Sequence, residues 1–302
     1  MKQPEPSTWV VAGSSEALAR LRPLTLAHRN YRAVREVKTA NFSDSDLDDA
    51  LATLVVGKPP KSAFLRAGND RQVPTGWLPD SERLETFAHA ASEVQLRRTS
   101  NTGLGPFVLL GESEERALGF AGRLAGSLSD SAPVFQWTAE RIGRRDLIEA
   151  LQGGAGAAFY VGRGTAAGWA GYCGFDAGDA RLACGHPIGA VLSLTCSALG
   201  LSHEMVLSGL CAAALGAAGP TIHSHNVTLA FAISRALRCG ASSLADILLA
   251  PDIPCTALNP YRIIGDPLAP LIGHPQSLEH AQRILAPPPN VVLPVIPLSS
   301  WK

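Results

Sequence analysis

The sequence predicts an α/β protein of two lobes, each built on a mostly parallel sheet flanked by helices. Three observations carry this. Short apolar runs of strand length alternate with stretches of helical periodicity along most of the chain. A stretch of weak periodicity rich in Pro, Ser, Thr, Asn and Gly, residues 75–104, interrupts the alternation and reads as a connection between lobes. The chain has 302 residues, 46% hydrophobic and 17% charged, enough to bury a sizeable core. The weakly charged surface that remains suits burial against partners.

The first lobe, residues 1–104 with its connecting segment, opens on Trp9-Val10-Val11-Ala12-Gly13, an apolar run that reads as a buried strand. Glu16 to Leu26 carries apolar residues at helical spacing, with Ser14 or Ser15 as cap. Tyr31 to Val37 alternates like a strand. Ser43-Asp44-Ser45-Asp46 opens a second helix that runs to about Val55, its acidic first turn suiting the helix dipole, and Pro59-Pro60 ends it. Ser62 to Ala67 is a further apolar run, and one short helix is expected near Glu82 to Ala91. Gly13 before two serines at a helix start is a weak phosphate signal, and a capped helix explains it fully.

The second lobe, residues 105–286, alternates more clearly. Strands are expected at Pro106–Gly111, Val134–Thr138, Ala157–Val161 and Gly189–Thr195. Glu114–Leu128 reads as a helix burying Leu118, Gly119, Ala121, Gly122 and Leu124. Arg144–Leu151 is a shorter helix closed by Gly153-Gly154. Residues 204–217 read as a helix, Thr221-Ile222 as a short strand and Val227–Leu237 as another helix. The proline-rich segment 287–302 reads as an extended arm, lying on its own domain or reaching a partner chain.

Composition excludes several classes. The net charge is zero and the basic residues are scattered, so no nucleic-acid surface is expected. No apolar signal core opens the chain and no run of membrane-spanning length follows, so a cytoplasmic protein without a membrane span is expected. The six cysteines form no C-x-x-C pair and read as reduced thiols, Cys211 and Cys239 as core. His223-Ser224-His225 has no further ligand at metal spacing, so neither a metal nor a cofactor is expected.

The chemistry lies at two strand ends. One segment reads Tyr160-Val161-Gly162-Arg163-Gly164 with Trp169 beyond it, and the other Thr195-Cys196-Ser197-Ala198-Leu199-Gly200. In open parallel sheets functional side chains collect beyond the carboxyl ends of strands, so Arg163 and Cys196 should project from one edge. The order resembles the gingipain-type cysteine peptidases and their caspase-like relatives, in which one strand ends in His-Gly and the next in Cys. Phe64–Asp70 with Val73-Pro74, and Ile263-Ile264-Gly265-Asp266-Pro267, resemble further segments of that family. The resemblance spans roughly residues 8–270 and implies a caspase-like fold with Cys196 as nucleophile. It also implies that backbone near Gly164 stabilises an oxyanion.

Arg163 stands where the resemblance calls for histidine. Arginine stays charged and serves as neither general acid nor base, so amide hydrolysis should be lost or impaired. Its charge could still support a thiolate. His223 and His225, after the next short strand, are candidate replacements, against the plainer reading of capping and loop residues. His186 reads as a surface loop residue, and Cys196 itself has the plainer reading of a strand-end packing residue. Glu93 lies near a segment matching the family's specificity region but supports no assignment. Two functions stay open: a cysteine endopeptidase using Cys196 on a protein or peptide substrate, and a non-catalytic binding or assembly subunit that meets partners through its C-terminal arm.

Overall fold

The computed structural model describes residues 7–100 and 103–285, so the expected arm at 287–302 lies outside the described residues. The strands are β1 (Thr8–Gly13), β2 (Ala33–Lys38), β3 (Ala50–Val56), β4 (Phe64–Arg66), β5 (Gln72–Leu78), β6 (Phe107–Gly111), β7 (Val134–Gln136), β8 (Ala157–Val161), β9 (Gly168–Trp169), β10 (Phe175–Asp176), β11 (Ile188–Leu194), β12 (Cys211–Ala217) and β13 (Tyr261–Gly265). Apart from the small β9–β10 ribbon they form one sheet, in the order β2-β1-β3-β5-β13-β12-β11-β8-β6-β7, with β4 folded back on β5. Helices flank it, and β1, β11 and β12 are buried along their whole length. Strands covered on both faces read as continuous apolar runs, which is why the mixed α/β arrangement was visible in the sequence.

The two halves of the sheet run in opposite directions. β13 is parallel to β5 and antiparallel to β12, and every other pair along the path is parallel. The carboxyl ends of β6, β8, β11 and β12 therefore share one edge. Those of β1, β3, β5 and β13 share the other. Gly76 is needed where β5 meets β13, because a Cβ there would lie 2.0 Å from the Gly265 carbonyl oxygen.

Several sequence expectations are corrected. The helix expected over 43–55 is a 3-10 turn, Asp44–Leu47, followed by β3. Ala50-Leu51-Ala52-Thr53-Leu54-Val55-Val56 sits between β1 and β5, and burial there outweighs helical spacing. The weakly periodic stretch from residue 75 completes β5 and then carries the helix Leu84–Leu96. The helix expected over 204–217 divides into helix Leu199–Leu207 and strand β12, separated by a turn at Gly209 with φ +83°. Cys211 thus lies in a strand, and Cys239 is exposed rather than core. Thr221-Ile222 is loop, and the helix after it starts at His223 and runs to Arg238. Helix Glu115–Leu128 buries Phe120, Ala121, Leu124, Ala125 and Leu128, while Gly119 and Gly122 face outward.

Candidate active site

β8 and β11 are adjacent and parallel, with Leu194 opposite Val161. Arg163 and Cys196 therefore leave the sheet at one edge. They line a cleft of about 440 Å³ together with Gly164, Thr195, Thr221 and His223. A second hollow of about 230 Å³ adjoins it, shares Arg163, His223 and Asn226, and reaches Glu112, Glu114 and Phe120.

Cys196 is presented by a strained turn. Ser197 has φ +51°, a left-handed conformation that costs a residue with a Cβ about 1–3 kcal/mol. Its N–H donates to the Gly219 carbonyl at 3.0 Å, and the helix Leu199–Leu207 begins just beyond. This reversal lifts Cys196 out of the sheet and leaves it partly exposed.

The sulfur is held by a neutral relay. The Thr221 N–H donates to Cys196 Sγ at 3.3 Å, and Thr221 Oγ1 lies 3.3 Å from the same sulfur. Asn226 is buried; its Nδ2 donates to Thr221 Oγ1 at 2.8 Å and to the Leu194 carbonyl at 3.3 Å. The Tyr261 hydroxyl donates to Asn226 Oδ1 at 2.9 Å, and burial pushes the Tyr261 phenol up. Either the Thr221 hydroxyl or the Cys196 thiol serves as donor in their 3.3 Å contact, and the thiol also faces the Thr221 carbonyl at 3.7 Å.

Arg163 faces away from this relay. Its Nε donates to Glu112 Oε2 at 3.0 Å, and its backbone N–H donates to Glu112 Oε1. Glu112 is buried at the end of β6, on the far side of β8 from β11, whereas the Arg163 side chain is 77% exposed. This carboxylate holds the guanidinium in its charged form. The charge of Arg163 is thus matched by Glu112, which weakens the expectation that it supports Cys196.

Gly164 permits close approach of the two strand ends. A Cβ there would lie 2.2 Å from the Cys196 carbonyl oxygen and 2.8 Å from Thr195 Oγ1. Gly164 also pairs with Trp169 through bonds from the Ala170 N–H to the Arg163 carbonyl and from the Thr165 N–H to the Gly168 carbonyl. That is the non-hydrogen-bonded pairing, so the ladder leaves the Gly164 N–H unspent. Trp169 is buried below, stacked between Tyr160 and Phe175, its indole N–H donating to Ser193 Oγ at 3.1 Å.

The two candidate histidines separate. His223 is the first residue of its helix and lines both hollows, edge-on to Phe120. His225 lines neither, because residues two apart on a helix point in different directions. Asn226, three residues on from His223, shares its face. Glu93 and His186 lie at the opposite edge, before β11 begins, with the His186 ring stacked on His274 at 3.6 Å. These three could hold a metal ion by position, a grouping the sequence did not suggest. Arg97 already occupies Glu93 at 2.9 Å, and the rings lie face to face rather than directed at one point. Glu112, Thr221, Asn226 and Tyr261 were not singled out by the sequence. Glu112 carried a usable signal, since it directly follows an apolar strand.

No family model matches the chain, and no curated protein matches it by sequence. Solved structures do match by shape. A crystal structure of the Arg-specific cysteine proteinase gingipain R superposes with TM-score 0.67 at 12% identity, covering 89% of this chain and 79% of that one. A complex of the pro- and mature domains of Porphyromonas gingivalis RgpB gives TM-score 0.65 at 12% identity, with 88% and 79% covered. A structure described only as a protease gives 0.66 at 10% identity, covering 89% and 79%. The chain therefore has the gingipain-like, caspase-like α/β fold, as its sequence motifs implied.

Proposed function

We propose that the protein is a peptidase-fold subunit that holds an extended peptide in the Cys196 cleft and does not hydrolyse amide bonds at an enzymatic rate. The observation that supports this is the state of Arg163. It occupies the strand end beside Cys196, yet it is bound to Glu112 and supplies no titratable proton near neutral pH. Peptide cleavage by a thiol needs a group that protonates the departing amine. The described hydrogen-bond partners of the sulfur are those of Thr221 alone.

His223 supports the alternative, an active peptidase with a displaced base, because it lines the cleft wall that Cys196 shares. One substitution separates the readings. In Arg163→His the imidazole would meet the Glu112 carboxylate that now accepts from Arg163 Nε, giving it an orienting partner. Peptide hydrolysis should then rise by about 10²–10⁴-fold, the ordinary contribution of general acid–base catalysis. Wild-type turnover abolished by His223→Ala would overturn the binding reading. An Arg163→His variant that folds and cleaves no faster would remove Arg163 from the histidine position.

A further inference from the structure

We infer that the ligand of the Cys196 cleft is a peptide with a free C-terminal carboxylate, received by the η nitrogens of Arg163. This rests on reading the cleft as a peptide-holding site and names its ligand class. Arg163 is built as a carboxylate clamp. Its Nε is spent on Glu112 Oε2 at 3.0 Å, and its backbone N–H on Glu112 Oε1. The hydrogens of Nη1 and Nη2 remain, and among the described residues none of them has a protein partner. That pair of nitrogens is the fork that meets both oxygens of a carboxylate at once. Glu112 fixes the fork's direction, because a buried carboxylate holds the guanidinium at Nε while the side chain stays 77% exposed. A held fork loses less freedom on binding than an untethered surface arginine does.

The charges around the cleft favour the same ligand. Among the described residues that line it, Arg163 is the one permanent charge and no carboxylate is present; Glu112 and Glu114 line the adjoining hollow instead. His223, on the cleft wall, is the first residue of the 16-residue helix His223–Arg238. Ile222 gives that helix no side-chain cap, and its first turn holds no acidic residue. The positive end of the helix dipole therefore adds to the charge of Arg163 rather than being cancelled within the chain.

Position argues for the end of a chain over an acidic side chain. β8 and β11 are adjacent and parallel, and Gly164 comes so close to the Cys196 carbonyl oxygen that a Cβ there would lie 2.2 Å from it. Main chain lying across these strand ends meets Arg163 and Cys196 at one place. A peptide that stops there brings a carboxylate to the fork. One that continues brings a neutral amide, whose hydrogen bond to a guanidinium is weaker than that of a charged oxygen. The same substitution that denies the cleft a proton donor for a departing amine thus suits it to a peptide end, which needs none.

The test uses the full chain and two matched pools of N-acetylated tetrapeptides of mixed sequence, one ending in free carboxylates and the other in amides. Binding is read first as protection of Cys196 from iodoacetamide by peptide mapping, with exposed Cys184, Cys239 and Cys255 as references. The best-retained acid and its own amide are then compared by calorimetry. The acid pool should protect Cys196, and that acid should bind at least about tenfold more tightly than its amide. Arg163→Gln should erase the difference by weakening the acid alone. Arg163→Lys, which keeps the charge without the fork, should retain part of it. Arg163→Gln also strips buried Glu112 of its cation, so if that variant does not fold the comparison of acid with amide on the unaltered chain decides. Equal binding of acid and amide would overturn the inference and leave the peptide cleft standing. Amides selected for an internal Asp or Glu would do the same, making Arg163 a reader of side chains. Protection by neither pool would overturn the peptide cleft and the inference with it.

Discussion

The sheet's two edges handle charge in opposite ways. At the open edge, Arg163 and Glu112 form a pair with one partner 77% exposed, beside a neutral relay around Cys196. At the opposite edge, His28 and Asp266 form a pair with both side chains fully buried. Asp266 there accepts from His28 Nε2 at 2.9 Å, Gln95 Nε2 at 2.7 Å and the Leu268 N–H at 3.0 Å, and these donors hold its carboxyl below the usual carboxylate range despite burial. Burial pushes His28 the other way, toward neutral imidazole, with Nε2–H directed at Asp266 and Trp9 stacked on the ring. The buried pair draws residues from two distant parts of the chain, His28 and Gln95, onto one carboxylate. The open pair leaves hydrogen-bonding capacity free beside a cleft. One edge ties the helices Arg22–Arg29 and Leu84–Leu96 to the end of β13, and the other leaves a cleft open.

The strongest way to break this contrast is to remove the buried carboxylate. Asp266→Ala leaves the buried His28 Nε2–H without its partner and Gln95 Nε2 with only the Leu268 carbonyl, and should cost about 3–5 kcal/mol in chemical denaturation. Cys196 alkylation in the surviving native protein should be unchanged. A loss under about 1 kcal/mol would show that the knot is dispensable. A matching loss of Cys196 reactivity would show that the two edges are coupled.

The open edge has its own packing limit at Gly164. In Gly164→Ala the new Cβ would meet the Cys196 carbonyl at 2.2 Å, so backbone must shift. Overpacking of this kind costs about 1–3 kcal/mol, and here it should also alter Cys196 alkylation because the displaced carbonyl belongs to Cys196 itself. Gly119→Ala is the matched control, on an exposed helix position with nothing within 4 Å of the new Cβ. It should stabilise by about 0.5–1 kcal/mol and leave Cys196 untouched. Equal effects from the two substitutions would mean that Gly164 is not a contact between strand ends.

What the sequence revealed follows the same division. The strand ends at Arg163 and Cys196 were legible because β8 and β11 are continuous apolar runs that stop abruptly. β12 was misread because Cys211 to Ala217 is rich in alanine, which favours helix locally, and only burial between β11 and β13 makes it a strand. The relay was not legible at all. Thr221, Asn226 and Tyr261 are ordinary residues in sequence, and the antiparallel β12–β13 pairing is what brings Tyr261 to Asn226. The buried knot was half visible: Gly265-Asp266-Pro267 stood out as a motif, while His28 lay unnoticed at the end of a helix.

The smallest expected effect is the one with a sign to work out. His28 is held below its ordinary value of 6.5 by burial, so the folded state resists a proton that the unfolded chain takes up. Its contribution to stability is therefore complete above about pH 6.5 and is lost as pH falls, at most about 1.4 kcal/mol per unit for one proton. His203, pushed down to about 4 by burial, and partly buried His274, also lowered by burial, act in the same direction. Asp266 adds its own loss only below the ordinary carboxylate value of 3.8. A denaturation series from pH 7 to pH 5 should fall smoothly, and His28→Gln, whose amide can still donate to Asp266, should flatten the slope by about one proton's worth. An unchanged slope would mean that His28 is protonated in the native protein. The buried edge would then carry a true ion pair, and the contrast with Arg163 and Glu112 would reduce to solvent exposure alone.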